Sequence, residues 1–325
     1  MYNEKTMQEH NGPHIVVDCG GTHIRVARVQ GGELLDLRVY PTRAELAAPA
    51  LKEHFLDVLE QYVRGVQPPG APASVNIAIA GQIDSANGIV RSSPNLPTWH
   101  DVPLAEWVAH RFGVPVYMDN DVRAAALGEC IRSFGGAVRD MVCLFWGTGV
   151  GGGILVDGKL LRGIGNAAGE AGHMVYRSGG RLCGCGKRGC YEAYADGWAI
   201  GQMAVEAVQR QPDAALGENP STADVFRLAA EDHPLARKLR NDAAQVLAEL
   251  AASLVVIFNP ERLVIGAGIA NHYPRIREIV SESVSRHALP VDQMHLQIGL
   301  SRLGDEAALW GAAGFSAHIP RPGGG

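Results

Sequence analysis

Four residues in the run GHMVYRSGGRLCGCGKRGCYE have the types and spacing of a metal cage: His173, then Cys183, Cys185 and Cys190. Three thiolates and one imidazole close a tetrahedral shell around zinc and leave no open coordination position, so the ion would be structural. Two ligands one residue apart can face a single ion only where the backbone turns tightly, and Gly184, Gly186 and Gly189 are interleaved to let it. A disulfide is the competing reading. Against it, Cys19, Cys130 and Cys143 stand isolated in apolar segments, with no sign of an oxidised framework. Carboxylates flank the cage, Glu170 before it and Glu192 after it. A knot that fixes two acids and a histidine frames a pocket for a polar ligand.

Two glycine-rich turns carry a second kind of chemistry. Asp18–Arg25 reads DCGGTHIR and Gly147–Gly153 reads GTGVGGG. Turns of this composition between strands aim several backbone N–H groups at one point, a nest suited to phosphate. Gly20, Gly21 and Thr22 would form one nest, and Gly147, Thr148, Gly149 and Gly151 the other. Two such nests would grip a polyphosphate such as that of ATP. Asp18 ends the first strand, where it could hold Mg2+ through waters, and the Thr22 hydroxyl adds a donor.

Gly147, Gly149 and Gly152 also satisfy the dinucleotide pattern G-x-G-x-x-G, but a strand follows where that motif needs a helix. Gly153, Gly158 and Lys159 imitate a Walker A loop, yet Leu160 occupies the required Ser/Thr position. Gly266 and Gly268, in GAGIA between a buried strand and a helix, could receive adenine or ribose against bare backbone.

Asp121 stands where a strand ends and a helix starts. It could cap that helix, or serve as the carboxylate that orients an attacking hydroxyl and accepts its proton. Asn95, in SSPNLPTW, is either a turn residue between two prolines or a polar contact. With Asn120, Glu170, His173 and Glu192 it would offer the alternating donors and acceptors that suit a polyol.

The elements that must position these groups can be read from periodicity. HIVVDC, HIRVARVQ and LLDLRVYPT read as an opening antiparallel meander. Leu46–Gly65 has helical spacing, with Leu51, Phe55, Leu59 and Val63 on one face. Pro68–Ala73 reads as a surface connection, ASVNIAIAG and VPVYMDND as strands, and Ala105–Phe112 and Asp121–Phe134 as helices. DMVCLFW, the second glycine turn and GILVDGKLL then repeat the opening plan, a cryptic duplication of one supersecondary unit. Helical stretches near 198–210, 221–231 and 235–257 follow, then the strands RLVIG and HLQIGLS and a final helix from Asp305 to His318.

The chain has 325 residues, enough for two domains with well-buried cores. A net charge of −5 supplies no basic field, so nucleic acid is not an expected partner. No stretch reaches 18 uninterrupted apolar residues and MYNEKTMQEHNGPH carries no apolar leader, so a membrane is not expected and a reducing cytoplasmic setting is. The first dozen residues and the tail IPRPGGG read as disordered ends.

Taken together, these motifs resemble those of the ROK family of sugar kinases and repressors, within the actin-like ATPase superfamily, along about residues 14 to 318. DCGGTHIR and GTGVGGG resemble its two phosphate motifs, SSPNLPTW and DNDVRAAALGE its sugar and catalytic segments, and GEAGHM with CGCGKRGCYE its zinc and sugar signature. The resemblance implies a two-domain α/β, ribonuclease H-like fold with an interdomain cleft and a structural zinc site. The first domain would span 1–119, completed by the C-terminal helix 305–318, and the second 120–304.

It implies further that Asp121 is the catalytic base, that Asn95, Asn120, Asp121, Glu170, His173 and Glu192 bind the sugar, and that His173 shares its ring between zinc and sugar. The implied reaction is Mg2+-dependent transfer of the γ-phosphoryl group of ATP to the 6-hydroxyl of a hexose, in a homodimer or higher homo-oligomer. SSPNLPTW and DVPL most resemble glucokinases, which puts glucose first. THIR resembles allose kinases, and DND and GHM are similar to N-acetylhexosamine kinases, so N-acetylmannosamine, N-acetylglucosamine, allose and fructose are the alternatives. Two departures fall near the sugar: Val122–Arg123 follows the base where Ala-Asn is common, and Ala171 stands where Ile or Leu is usual. The repressor branch shares the zinc signature but places a winged helix before the first phosphate motif, where about 14 residues precede it in this chain. A sugar sensor without turnover would not need Asp18, Asp121 and both nests.

Overall fold

The computed structural model describes residues 12–66 and 72–319. Most of the expected Pro68–Ala73 connection and nearly all of both expected disordered ends lie outside the described residues. The strands run, in chain order, β1 His14–Cys19, β2 His23–Gln30, β3 Glu33–Pro41, β4 Ser74–Ile79, β5 Gln82–Asp84, β6 Ile89–Ser92, β7 His100–Val102, β8 Val116–Asn120, β9 Met141–Trp146, β10 Val150–Val156, β11 Lys159–Leu160, β12 Arg262–Gly266 and β13 Gln297–Leu300.

Two five-stranded sheets share one plan. The first has the order β3-β2-β1-β4-β8 and the second β11-β10-β9-β12-β13. In the first, β1 pairs antiparallel with β2 and β2 with β3, while β4 lies parallel to both β1 and β8. In the second, β11 is antiparallel to β10, and β12 is parallel to both β9 and β13. The duplication legible in the two strand–glycine–strand segments thus extends to whole sheets. The central strands β1, β4 and β9 are buried nearly throughout and so are rich in apolar residues without alternation. A small three-stranded sheet, β5-β6-β7, was not expected from the sequence.

The helix Ala48–Gly65 covers the first sheet with Leu51, Phe55, Leu59 and Tyr62, while Val63 is only partly covered. Phe55 meets Trp99 edge-on at 5.9 Å between centroids, which ties the SSPNLPTW turn to this core. The core helix of the second unit, Pro234–Phe258, is long and apolar enough to cross a membrane by length and composition. Leu239, Val246, Leu247, Leu250, Leu254 and Val255 on it are buried in protein, as in a helix that serves as a core.

The chain divides into two compact units, one comprising 1–139, 153–168 and 305–325 and the other 140–152 and 169–304. Residues 120–139 and 153–168 therefore belong with the first unit, not with the second domain expected at 120–304. The reason is a close helix pairing: Asp121–Gly128 packs on Ala307–Ala313. A Cβ at Gly128 would sit inside contact distance of the Ala307 carbonyl oxygen, and one at Gly311 inside that of Ala124. Only bare backbone fits at that crossing. The two expected long helices are also interrupted: Asp121–Gly128 continues as a π-helical turn, Glu129–Ser133, and the last helix breaks at Gly314.

Candidate active site

In the first unit, β1 delivers Asp18 and the chain turns through Gly20–Gly21–Thr22 into β2. The turn is closed by the Gly20 N–H donating to His23 O at 3.0 Å, and Thr42 clamps it from β3's end, its hydroxyl donating to Gly20 O at 2.7 Å. A Cβ at Gly21 would lie 3.1 Å from Asn95 Cβ, so the exposed Asn95 stands against the first glycine turn. Asp18 is register-paired with Arg25, whose guanidinium donates to its Oδ2 at 3.2 Å and to Asp305 Oδ2 at 3.2 Å. Burial, and next the neighbouring Asp121 carboxylate, push the Asp18 carboxyl up to about 7 against the pull of Arg25. The two acids singled out for metal and base are thus close enough to repel.

Asp121 is not the cap of its helix. The cap is Asn120, whose Oδ1 accepts from Val122 N at 3.0 Å and Arg123 N at 3.1 Å. Its Nδ2 donates to Gly81 O at 3.1 Å and to Asp121 Oδ1 at 3.0 Å, so the cap also sets the orientation of the acid. Gly81 can present its carbonyl there because its φ of +127° is open to glycine, and a Cβ would strike Ser92 O.

In the second unit, β9 runs into Gly147–Thr148–Gly149. The strand β10 begins at Val150, so Gly151 is a strand residue and the turn is shorter than expected. Gly147 approaches Ala267 and Gly268: a Cβ on it would lie 3.5 Å from Ala267 Cβ and 3.9 Å from Gly268 N. The GTG turn and the GAG segment after β12 therefore form one glycine-lined corner. Ala267, between Gly266 and Gly268, holds φ +70°, a strained conformation for a residue with a side chain. The corner also receives the helix Gly197–Arg210, whose first N–H donates to Gly147 O at 2.9 Å.

The cysteine segment lies beside that corner. The side-chain ligand atoms of His173, Cys183, Cys185 and Cys190 are all within 4.8 Å of one another. Cys185 and Cys190 sulfurs are 3.7 Å apart, and Cys183 Sγ is 3.7 Å from His173 Nδ1. All six cysteines are free thiols. Ligands about 2.3 Å from a tetrahedral ion sit about 3.8 Å apart, so the set is spaced to hold one. Two of the interleaved glycines do the turning, Gly186 with φ +82° and Gly189 with φ +90°, whereas Gly184 does not need a positive φ. Burial pushes the Cys183 and Cys190 thiols up, so ionised sulfur here calls for a cation.

Glu192 joins cage and corner. Its Oε2 accepts from Val150 N at 3.1 Å, and its Oε1 lies 3.5 Å from Cys183 Sγ and 3.6 Å from His173 Nδ1. Exposed Glu170 precedes the 3-10 turn Ala171–His173. Ala171 itself is buried beside β10, where a Cβ on Gly152 would lie 3.2 Å from Ala171 Cβ.

Sequence reasoning overlooked several partners. Arg25 was quoted only as part of a motif. Asp196 caps the helix Gly197–Arg210, its Oδ1 accepting from Ala199 N at 2.5 Å. Burial pushes its carboxyl to about 7, against the Ala199 N–H and with the Glu192 charge. Asp119, Arg123 and Arg162 form a buried ionic cluster beneath Asp121. Asp119 lies near the end of strand β8 and Arg162 follows β11, so nothing local in the sequence pairs them.

Among proteins of known function the chain is 33% identical to the glucokinase of Thermotoga maritima over 306 residues, covering 92% of this chain and 95% of that one. It is also 33% identical to the N-acetylmannosamine kinase of Salmonella typhi, with 92% and 96% covered. The crystal structure of a ROK family glucokinase from Streptomyces griseus in complex with glucose and AMPPNP superimposes with a TM-score of 0.76 at 30% identity, over 93% of this chain and 98% of that one. The ROK family model matches residues 14–318, from the first strand to the last helix, and the chain belongs to the ROK family.

Proposed function

We propose that the protein is an ATP-dependent hexose kinase that phosphorylates the 6-hydroxyl, with glucose as its substrate. The observation that carries the reading is the pairing of two acids at the strand ends of the first unit. Asp121 is held by its cap Asn120, and Asp18 is pushed to about 7 by burial and by Asp121. In this reading Asp121 orients the acceptor hydroxyl and takes its proton late in a loose phosphoryl-transfer transition state. Asp18 holds Mg2+ through waters, and the crowding of negative charge around it is what a divalent cation relieves. Gly21 and Thr22 of the first glycine turn, and Thr148 and Gly149 of the second, offer N–H groups to phosphate, while the N–H groups of Gly20 and Gly147 close their own turns on His23 O and Gly149 O. Gly266 and Gly268 lie against the nucleoside.

Asn95, Asn120, Glu170, His173 and Glu192 serve as hexose contacts. His173, Cys183, Cys185 and Cys190 hold a structural zinc ion through His173 Nδ1, which leaves Nε2 for the sugar. Glucose over N-acetylated hexoses is favoured by the glucokinase relatives. The kinase from Salmonella typhi keeps N-acetylmannosamine as the second reading. A coupled assay of purified protein with ATP over glucose, mannose, allose, N-acetylglucosamine and N-acetylmannosamine tests both. The expected result is the highest kcat/KM for glucose. A higher value for either N-acetylated sugar replaces the substrate but keeps the chemistry, and no turnover with any of them ends the kinase reading.

A further inference from the structure

Directly beneath Asn120–Asp121 lies a charged cluster that the reaction itself does not use. Asp119, fully buried, receives Arg123 Nε on Oδ1 at 2.7 Å and Arg162 Nε on Oδ2 at 2.8 Å. Its Oδ1 also accepts the backbone N–H of Asn120 at 2.8 Å. Arg123 is 2% exposed, so the centre of the cluster is cut off from water. Charges in such a place cost several kcal/mol each to desolvate and are weak stabilisers, which makes a purely structural reason for them poor. Two guanidiniums against one carboxylate leave the group with an excess of one positive charge.

The geometry shows what the excess arginine does. Arg162 opens the loop 162–168 that leaves β11, and Arg123 NH1 donates to Asn166 O at 2.8 Å in the middle of that loop. Asn166 holds φ +53°, a left-handed conformation that asparagine adopts readily. Through Asp119 and Arg123 one ionic cluster therefore fixes both the Asn120–Asp121 pair and the loop 162–168.

We propose that Arg123 is a positioning residue for the hexose. Acting through Asp119 and the Asn166 carbonyl, it sets the placement of the acid that takes the hydroxyl proton and of the loop 162–168. This rests on the hexose kinase reading. Asp119–Arg162 remains a balanced pair when Arg123 is removed, so Arg123→Met leaves no unpaired charge.

The test is steady-state kinetics of Arg123→Met, Arg123→Lys and Arg162→Met, each checked for folding by circular dichroism and for thermal midpoint. For Arg123→Met the expected result is a rise in hexose KM of at least about tenfold, with the KM for ATP changed less than about twofold. Arg123→Lys, which keeps charge but cannot serve Asp119 and Asn166 together, should fall on the same side. Folded variants with hexose KM and kcat within about twofold of wild type overturn the proposal. An equal rise in both KM values, or failure of all three variants to fold, also overturns it, assigning the cluster to stability. Absence of turnover in the wild-type protein would instead remove the kinase reading on which the proposal stands.

Discussion

The backbone N–H of Val150 donates to Glu192 Oε2 at 3.1 Å, while the other oxygen of the same carboxylate lies 3.5 Å from Cys183 Sγ. One acid thus links the second glycine turn to the cysteine cage, and disturbance of either is felt at the other.

Cys185→Ser should therefore do more than release metal. A Cys3His shell contributes folding free energy outright. Without it Glu192 loses one of its two anchors. The expected outcome is loss of stoichiometric zinc by elemental analysis, a lower thermal midpoint, and a hexose KM raised at least about tenfold. Wild-type protein purified without chelator and found free of zinc would contradict this, as would a disulfide among these thiols.

Asp18 makes a pH-dependent prediction. Its folded-state value, about 7, lies above the ordinary carboxyl value of 3.8, so its ionisation is paid for by the fold. The associated stability is complete below about 3.8 and is lost as pH rises through about 7. Asp18→Asn keeps the size and removes the charge. In the absence of Mg2+ and ATP its advantage over wild type in thermal midpoint should grow steadily from pH 4 to pH 8, where it corresponds to at most about 4 kcal/mol at about 1.4 kcal/mol per unit. The same variant should lose turnover. Equal midpoints at pH 8 would show that the crowding of Asp18 and Asp121 is not felt.

Gly311→Ala tests the helix crossing that places Asp121 in the first unit. The added methyl would overlap the Ala124 carbonyl. Overpacking of a rigid backbone contact should cost about 1–3 kcal/mol or more in urea denaturation. Gly268→Ala, where nothing lies within 4 Å of the new Cβ, is the control and should be near neutral in stability.

What could be read from the sequence follows from how local the physics was. The cysteine cage was legible because ligand chemistry demands particular residue types at short spacing. The glycine turns were legible because short apolar strands frame them. The second turn was overestimated, since Gly151 has the φ/ψ of a strand and glycine alone does not report which state it takes. Strands β5, β6 and β7 are three or four residues long, too short to show a period. The unit boundary rests on Gly128 and Gly311 meeting backbone carbonyls distant in sequence, a contact with no periodic trace. The cap went to Asn120 where Asp121 was an equally good candidate, because both types cap well and only geometry separates them. The ion pair of Asp119 with Arg162 joins segments distant in sequence, and that with Arg123 crosses from strand β8 into the helix after it, so neither left a local signal.

The most direct test is the turnover of Asp121→Asn with glucose and ATP, measured beside wild type. Asn120 caps the helix, so the substitution leaves that role untouched and removes only the carboxylate. If Asp121 takes the hydroxyl proton, kcat falls by at least about 10²-fold while hexose and ATP still bind by calorimetry. A folded variant with near-wild-type kcat would contradict the account.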